Sequence, residues 1–123
     1  MNHGTSMNGQ FHDKLKTKVN ELVHLVYRVT KYFPRDELYG VTSQLRRAVL
    51  SIILNYIEGY ARGKDKIYKN FLEISYGSLQ ETKYLLHFSS VEKYLTEDDY
   101  EKMIKLAEEI GAMLWKTIQA LNK

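Results

Sequence analysis

The sequence predicts an all-α protein, built as an up-and-down antiparallel four-helix bundle. Three observations carry this expectation. Apolar residues recur at three- and four-residue steps through most of the chain, and no stretch shows the period-two alternation of a half-buried strand. The one proline, Pro34, falls between two such stretches. Start and stop signals divide the remainder into helices joined by short loops, and short loops make neighbouring helices antiparallel.

Helix 1 is read from the stripe Phe11, Leu15, Val19, Leu22, Val26, Val29 and Phe33. It is expected to end near Phe33, because the residue before a proline resists α geometry. A connector follows over 34–40, with one helical turn near Arg35–Tyr39. Thr42 or Ser43 is expected to cap helix 2 by accepting from a free amide. Helix 2 runs to Arg62, and Gly63 is its stop. Asp65 is expected to cap helix 3, which reads as continuous to about Leu95, about 45 Å long. Thr96 followed by Asp99 reads as a capping box that opens helix 4. The inner stripe of helix 4 is Met103, Ala107, Ile110, Leu114, Thr117 and Leu121. Gly77, inside helix 3, costs stability relative to alanine and so suggests a close helix approach.

Helix 2 is richer than a bundle helix needs to be. Leu45, Val49, Ile52 and Tyr56 form one apolar stripe, and Leu50, Ile53, Ile57 and Tyr60 form a second beside it. One stripe serves the core. The second is read as a seam between subunits, since an apolar patch of this size is uncommon on a stable monomer. A wide core stripe within one chain is the alternative. A polar line also runs along this helix through Gln44, Arg47, Ser51, Asn55, Glu58 and Arg62. It is read as a network that sets helix register or subunit pairing, with a binding face as the alternative.

At 123 residues the chain is one domain's worth. Residues 1–10 are polar and glycine-containing, lack the apolar run of a signal peptide, and are expected to be a disordered tail. The bundle should occupy 11–123. No apolar run approaches the about 20 residues a bilayer needs, so no membrane partner and a cytoplasmic location are expected. Without cysteine there is no disulfide frame and no thiolate metal site. Glu21 and His24 form one Glu-x-x-His pair, but a di-iron bundle needs two, so no metal or other cofactor is expected. No phosphate loop, nucleophile elbow or His-Glu-x-x-His is present. No arginine stands four to six residues before His24 or His87. The chain is therefore read as non-enzymatic.

Charge is uneven. Phe11–Lys69 carries twelve Lys/Arg against six Asp/Glu, while Asn70–Lys123 carries six against nine. A basic face for an anionic partner is one consequence, and attraction between helices or subunits is the other. Arg46, Arg62, Lys64, Lys66 and Lys69 are the candidate phosphate contacts. Arg47, Asn55 and Glu58 fall to the network. Tyrosines interleaved with Arg62–Lys69 could stack on bases, although helical tyrosines more often pack with a wet hydroxyl.

Three blocks resemble a known family. They are the run from Phe33 to Ala48, then Ser51-Ile52 with Asn55, Glu58 and Gly59, then Phe71 to Glu81. In this order and spacing they resemble the 23S rRNA intervening-sequence proteins, over nearly everything from Phe11 to Leu121. Small departures are Ile57 where alanine is usual before the Glu-Gly pair, and Ser75 where the family has alanine. The resemblance implies a bacterial four-helix bundle that assembles as a ring-like homopentamer, with no enzymatic activity attached. It is also similar in fold to the accessory variability proteins of diversity-generating retroelements. That likeness implies RNA, DNA or a reverse transcriptase as possible partners of a basic surface.

Overall fold

The inner stripes read from the sequence meet in one core. The structure is a computed structural model that describes residues 6–122, folded as α1 (Ser6–Thr30), α2 (Val41–Arg62), α3 (Asp65–Val91) and α4 (Glu97–Leu121), with one 3-10 turn at Arg35–Glu37. No strand occurs among the described residues. Each helix packs on two others, α1 on α2 and α4, α3 on α2 and α4, and neither diagonal pair approaches closely. Cross-contacts run in opposite senses along consecutive helices: His12 meets Tyr56 while Arg46 meets Thr30, and Gly59 meets Phe71 while Ser51 meets Ser78. Neighbours are thus antiparallel, as in an up-and-down four-helix bundle.

The core is the sum of the inner stripes. Leu15, Leu22, Leu45, Ile52, Leu72, Leu86, Ile110 and Leu114 are fully enclosed. On α4, Ile118 is buried while Thr117 is only half-buried and bonds back to the Met113 carbonyl at 2.9 Å. Tight packing is concentrated between α2 and α3. A Cβ added at Gly59 would lie 2.6 Å from the Cβ of Phe71, so only glycine permits the observed approach. Ser75, fully buried, donates to the Ile52 carbonyl at 2.7 Å, and the Ser51 and Ser78 hydroxyls pair at 2.7 Å. Gly77 is different from expectation. It is exposed and has nothing within 4 Å of its virtual Cβ, so it does not mediate a close approach inside the chain.

Several ends differ from their sequence reading. Residues 6–10, read as tail, are helical and extend α1. His12 anchors this end by stacking on Tyr60 with ring centroids 3.7 Å apart. Residues 1–5 and 123 lie outside the described residues. At its other end α1 stops at Thr30, and turn bonds carry the chain to buried Phe33. Helix α2 begins at Val41, and Thr42 is buried within it. Its start is held by the Glu37 carboxylate, which accepts from the Val41 amide at 3.2 Å and from the Tyr94 hydroxyl at 2.9 Å. Gly63 takes the left-handed conformation, φ 81°, and stops α2 as expected. The N-cap of α3 is Lys64, with no side-chain cap, and Asp65 is its first residue. Helix α3 stops at Val91, before Leu95, because Lys93 adopts φ 65°. The Tyr94 amide then bonds the Ser89 carbonyl and the Lys93 amide that of Ser90, the paired pattern of a left-handed helix stop. Thr96 caps α4 by accepting from the Asp99 amide at 3.1 Å.

Gly59 and Gly77 should respond to alanine with opposite signs. Gly59→Ala forces a Cβ into Phe71 and should lower the unfolding free energy by about 1–3 kcal/mol. Gly77→Ala meets open space and should raise it by about 0.5–1 kcal/mol. Urea unfolding of the two variants reads both; equal effects would contradict the packing described.

Candidate nucleic-acid interface

The tight α2–α3 turn brings four cations of the predicted set to one end of the bundle. With Gly63 left-handed, α2 ends at Arg62 and α3 starts three residues later at Asp65, so Arg62, Lys64, Lys66 and Lys69 fall within one loop and two helical turns. Arg62 donates to Glu58 at 2.8 Å, an exposed i,i+4 pair worth only a few tenths of a kcal/mol. Its guanidinium also lies 5.6 Å from the Phe71 ring. Lys64 and Lys66 are exposed and Lys69 is half-buried. None of the three lysines pairs with a carboxylate among the described residues. Asp65, between them, is placed where a negative charge favours the start of a helix.

Arg46 does not join this group. It lies sixteen residues earlier on the same helix, about 24 Å away along the axis. Its Nε donates to the Thr30 hydroxyl at 2.8 Å and its guanidinium covers the Tyr27 ring at 4.8 Å. Thr30 in turn donates to the Val26 carbonyl at 2.7 Å. Arg46 is therefore a clamp between α1 and α2, set apart from the other four candidate phosphate contacts.

The tyrosines under the basic turn look inward. Tyr56 is 2 % exposed and Tyr68 is 5 % exposed. Tyr60 is half-buried, with its ring edge-on to Tyr68 at 5.8 Å. His12 Nδ1 lies 2.7 Å from the Tyr56 hydroxyl. Burial pushes the pKa of Tyr56 far up, helped by Tyr68, and burial also raises that of Tyr68. These rings form an aromatic floor that supports the turn. Tyr56 and Tyr68 pack as helical tyrosines more often do, and their faces are not available to stack on bases.

The polar line of α2 is divided in the structure. Ser51 and Asn55 form a network, with the Asn55 amide donating to both the carbonyl and the hydroxyl of Ser51 at 2.9 Å. Together with the Ser51–Ser78 bond this ties α2 to α3 in register. Gln44, Arg47, Leu50 and Asn55 face Ser78 and Glu81 across an open cleft of about 550 Å3. Glu58 serves Arg62. The second apolar stripe divides too. Ile53 and Tyr60 lean on the core, and Tyr60 meets His12 of α1. Ile57 is 44 % exposed, beside Leu54 at 60 % and, across the helix pair, Ile74 at 51 %. Leu54 and Ile74 were not singled out from the sequence. The spacing Leu50, Leu54, Ile57 was visible there and would have identified the outward line. Among the described residues no three His, Asp or Glu side chains group as a metal site.

A family model described as 23S rRNA-intervening sequence protein matches residues 14–116. Among solved structures, a protein of unknown function from the S23 ribosomal protein family of Bacteroides thetaiotaomicron is similar in fold. It has a TM-score of 0.81 and 23 % sequence identity, over 89 % of this chain and 98 % of that one. A search of curated proteins found no match.

The buried tyrosines give a pH signature. A hydroxyl whose pKa is raised by folding favours the folded state fully below pH about 10, its unfolded value, and loses that contribution as the pH climbs further. Stability should therefore fall above pH about 10, by about 1.4 kcal/mol per pH unit for each such proton. Tyr56→Phe should flatten that fall in a denaturant series at rising pH. An unchanged slope would show that Tyr56 is not the buried group responsible.

Proposed function

This chain belongs to the 23S rRNA-intervening sequence protein family, and on that premise we propose that it is a non-enzymatic, self-assembling bundle that binds nucleic acid or a nucleoprotein through its basic end. The observation that supports this reading is the cluster of Lys64, Lys66 and Lys69 beside Arg62, three lysines at one turn that pair with no carboxylate among the described residues. Three ammonium groups and one guanidinium in so short a span raise the local positive potential. Phosphate oxygens are the complementary ligand, because they release counterions on binding. The partner is RNA or DNA, or a reverse transcriptase carrying either, as the wider resemblance suggests. Catalysis and cofactors form no part of the proposal. Among the described residues no helix is long and apolar enough to cross a membrane, and the bacterial cytoplasm is the proposed place of action.

A second reading, a purely structural or protein-binding scaffold, draws on a different observation. Leu54, Ile57 and Ile74 leave apolar surface on the outside of α2 and α3. We assign that face to contact with further copies of the chain, in the ring-like homopentamer that the family resemblance implies. The two readings share this assembly and differ on whether the basic turn binds nucleic acid.

Solution mass by light scattering at low and high salt, with and without a short structured RNA, tests both. The multimer should persist at high salt, and RNA should co-elute only at low salt. Affinity should fall by roughly 0.7–0.9 log units per phosphate contact for each tenfold rise in salt. Lys64→Glu with Lys66→Glu should abolish RNA binding and leave the mass unchanged. Leu54→Asp with Ile57→Asp should give a helical monomer. RNA binding unaffected by the lysine reversals would sink the basic end, and a wild-type monomer would sink the assembly.

A further inference from the structure

The chain's single tryptophan, Trp115 on α4, is 51 % exposed. Its ring lies 5.6 Å from that of Tyr76 on α3, tilted at 43°. Fully packed, an aromatic ring hides about 150–250 Å2, so two of them meeting on the outer edge of a bundle forgo much of that gain. The bundle itself is closed beneath them, where Gly111 comes against Leu79. Gln80 Nε2 donates to the Tyr76 hydroxyl at 3.4 Å, and Ala112, one turn before Trp115, offers no bulk to cover the indole.

The surroundings of this pair are basic along one line. Lys69 and Lys83 stand seven residues before and after Tyr76, which on an α-helix is two turns less about 20°. The three residues therefore share one side of α3, about 10 Å apart along the axis. Neither lysine pairs with a carboxylate among the described residues. Glu73 and Glu108 border the line and limit its net charge. Lys69 also belongs to the basic turn, so the aromatic pair continues that surface up the α3–α4 groove.

We propose that Tyr76 and Trp115 form a base-stacking platform for single-stranded nucleic acid, with Lys69 and Lys83 holding phosphates on either side. The proposal rests on the nucleic-acid reading above and adds where an unpaired base sits. A duplex keeps its bases stacked on one another, whereas an indole standing on a helix surface can take only a base that is already free. Aromatic faces alternating with cations are the pattern that single strands use, and stacking tolerates any base.

Because Trp115 is the only tryptophan, its emission reports directly on this site. The full chain is titrated with an end-labelled ten-nucleotide oligouridylate, an oligothymidylate of equal length and an RNA duplex, reading label anisotropy and tryptophan emission together. Both single strands should raise anisotropy and quench the emission by half or more, and the duplex should not quench. Trp115→Ala should weaken single-strand binding roughly tenfold or more, and Trp115→Phe should restore most of it. Lys83→Glu should weaken it and lower the salt slope by roughly 0.7. Single-strand binding without quenching, or a Trp115→Ala variant that binds as well as the native chain, would overturn the platform while leaving the basic turn as the contact. No anisotropy change with any oligomer would overturn both readings. Emission that ignores oligonucleotide but shifts on dilution of the protein would overturn the platform by showing the ring covered by a second copy.

Discussion

The close approach of α2 and α3 governs the rest of the molecule. It depends on small residues at the crossing: Gly59 against Phe71, Ser75 bonded to the Ile52 carbonyl, and Ser51 bonded to Ser78. Serine hydroxyls buried without partners would each cost about 1–3 kcal/mol, so these bonds make the approach specific as well as close. A different register would break them together. With this pair locked, the turn between them must be short, and a left-handed residue at 63 is the direct way to reverse the chain in that space. The cations follow from the same geometry. Arg62, Lys64, Lys66 and Lys69 are close to one another because the helices that carry them are.

Most of the fold was legible from periodicity, because α1, α2 and α4 each hide a well-marked inner stripe. What was not legible lies at ends and on outer faces. The stop of α3 was hidden because Lys93, not glycine, takes the left-handed position, and local sequence favours such a residue only weakly. The start of α2 was hidden because its amide is held by Glu37, four residues upstream and bonded also to Tyr94, which lies 57 residues away. A nearby Thr42 satisfied the rule for a cap, yet the fold buries it.

Arg46 shows why the candidate site was only partly legible. In the sequence it is one arginine among several on a basic half. Its role is decided by Tyr27 and Thr30, which the antiparallel packing of α1 and α2 brings beneath it. The tyrosines were left between two readings for a related reason. Spacing puts Tyr56, Tyr60 and Tyr68 near the lysines, but the α2–α3 turn points two of them into the core, and His12 closes over the third. Conversely, Trp115 and Tyr76 are far apart in sequence, and no periodic signal in either helix announces their meeting.

The separation of surfaces has a consequence for affinity. A surface cluster of three lysines and one arginine, of which Lys69 is half-buried, is a weak ligand for phosphate at physiological salt, since each contact is small and screened. If the outer face with Leu54, Ile57 and Ile74 joins copies into a closed ring, every subunit carries its basic turn at the same level of the ring. Contacts too weak alone then act on one strand at an effective concentration set by the subunit spacing, and avidity can rise by 10²–10⁴ without any new contact. The apolar face and the basic turn would in that case be two parts of one binding device, one supplying geometry and the other charge. Loss of assembly should then weaken binding as much as loss of the lysines does, although the monomer keeps every residue that touches the ligand.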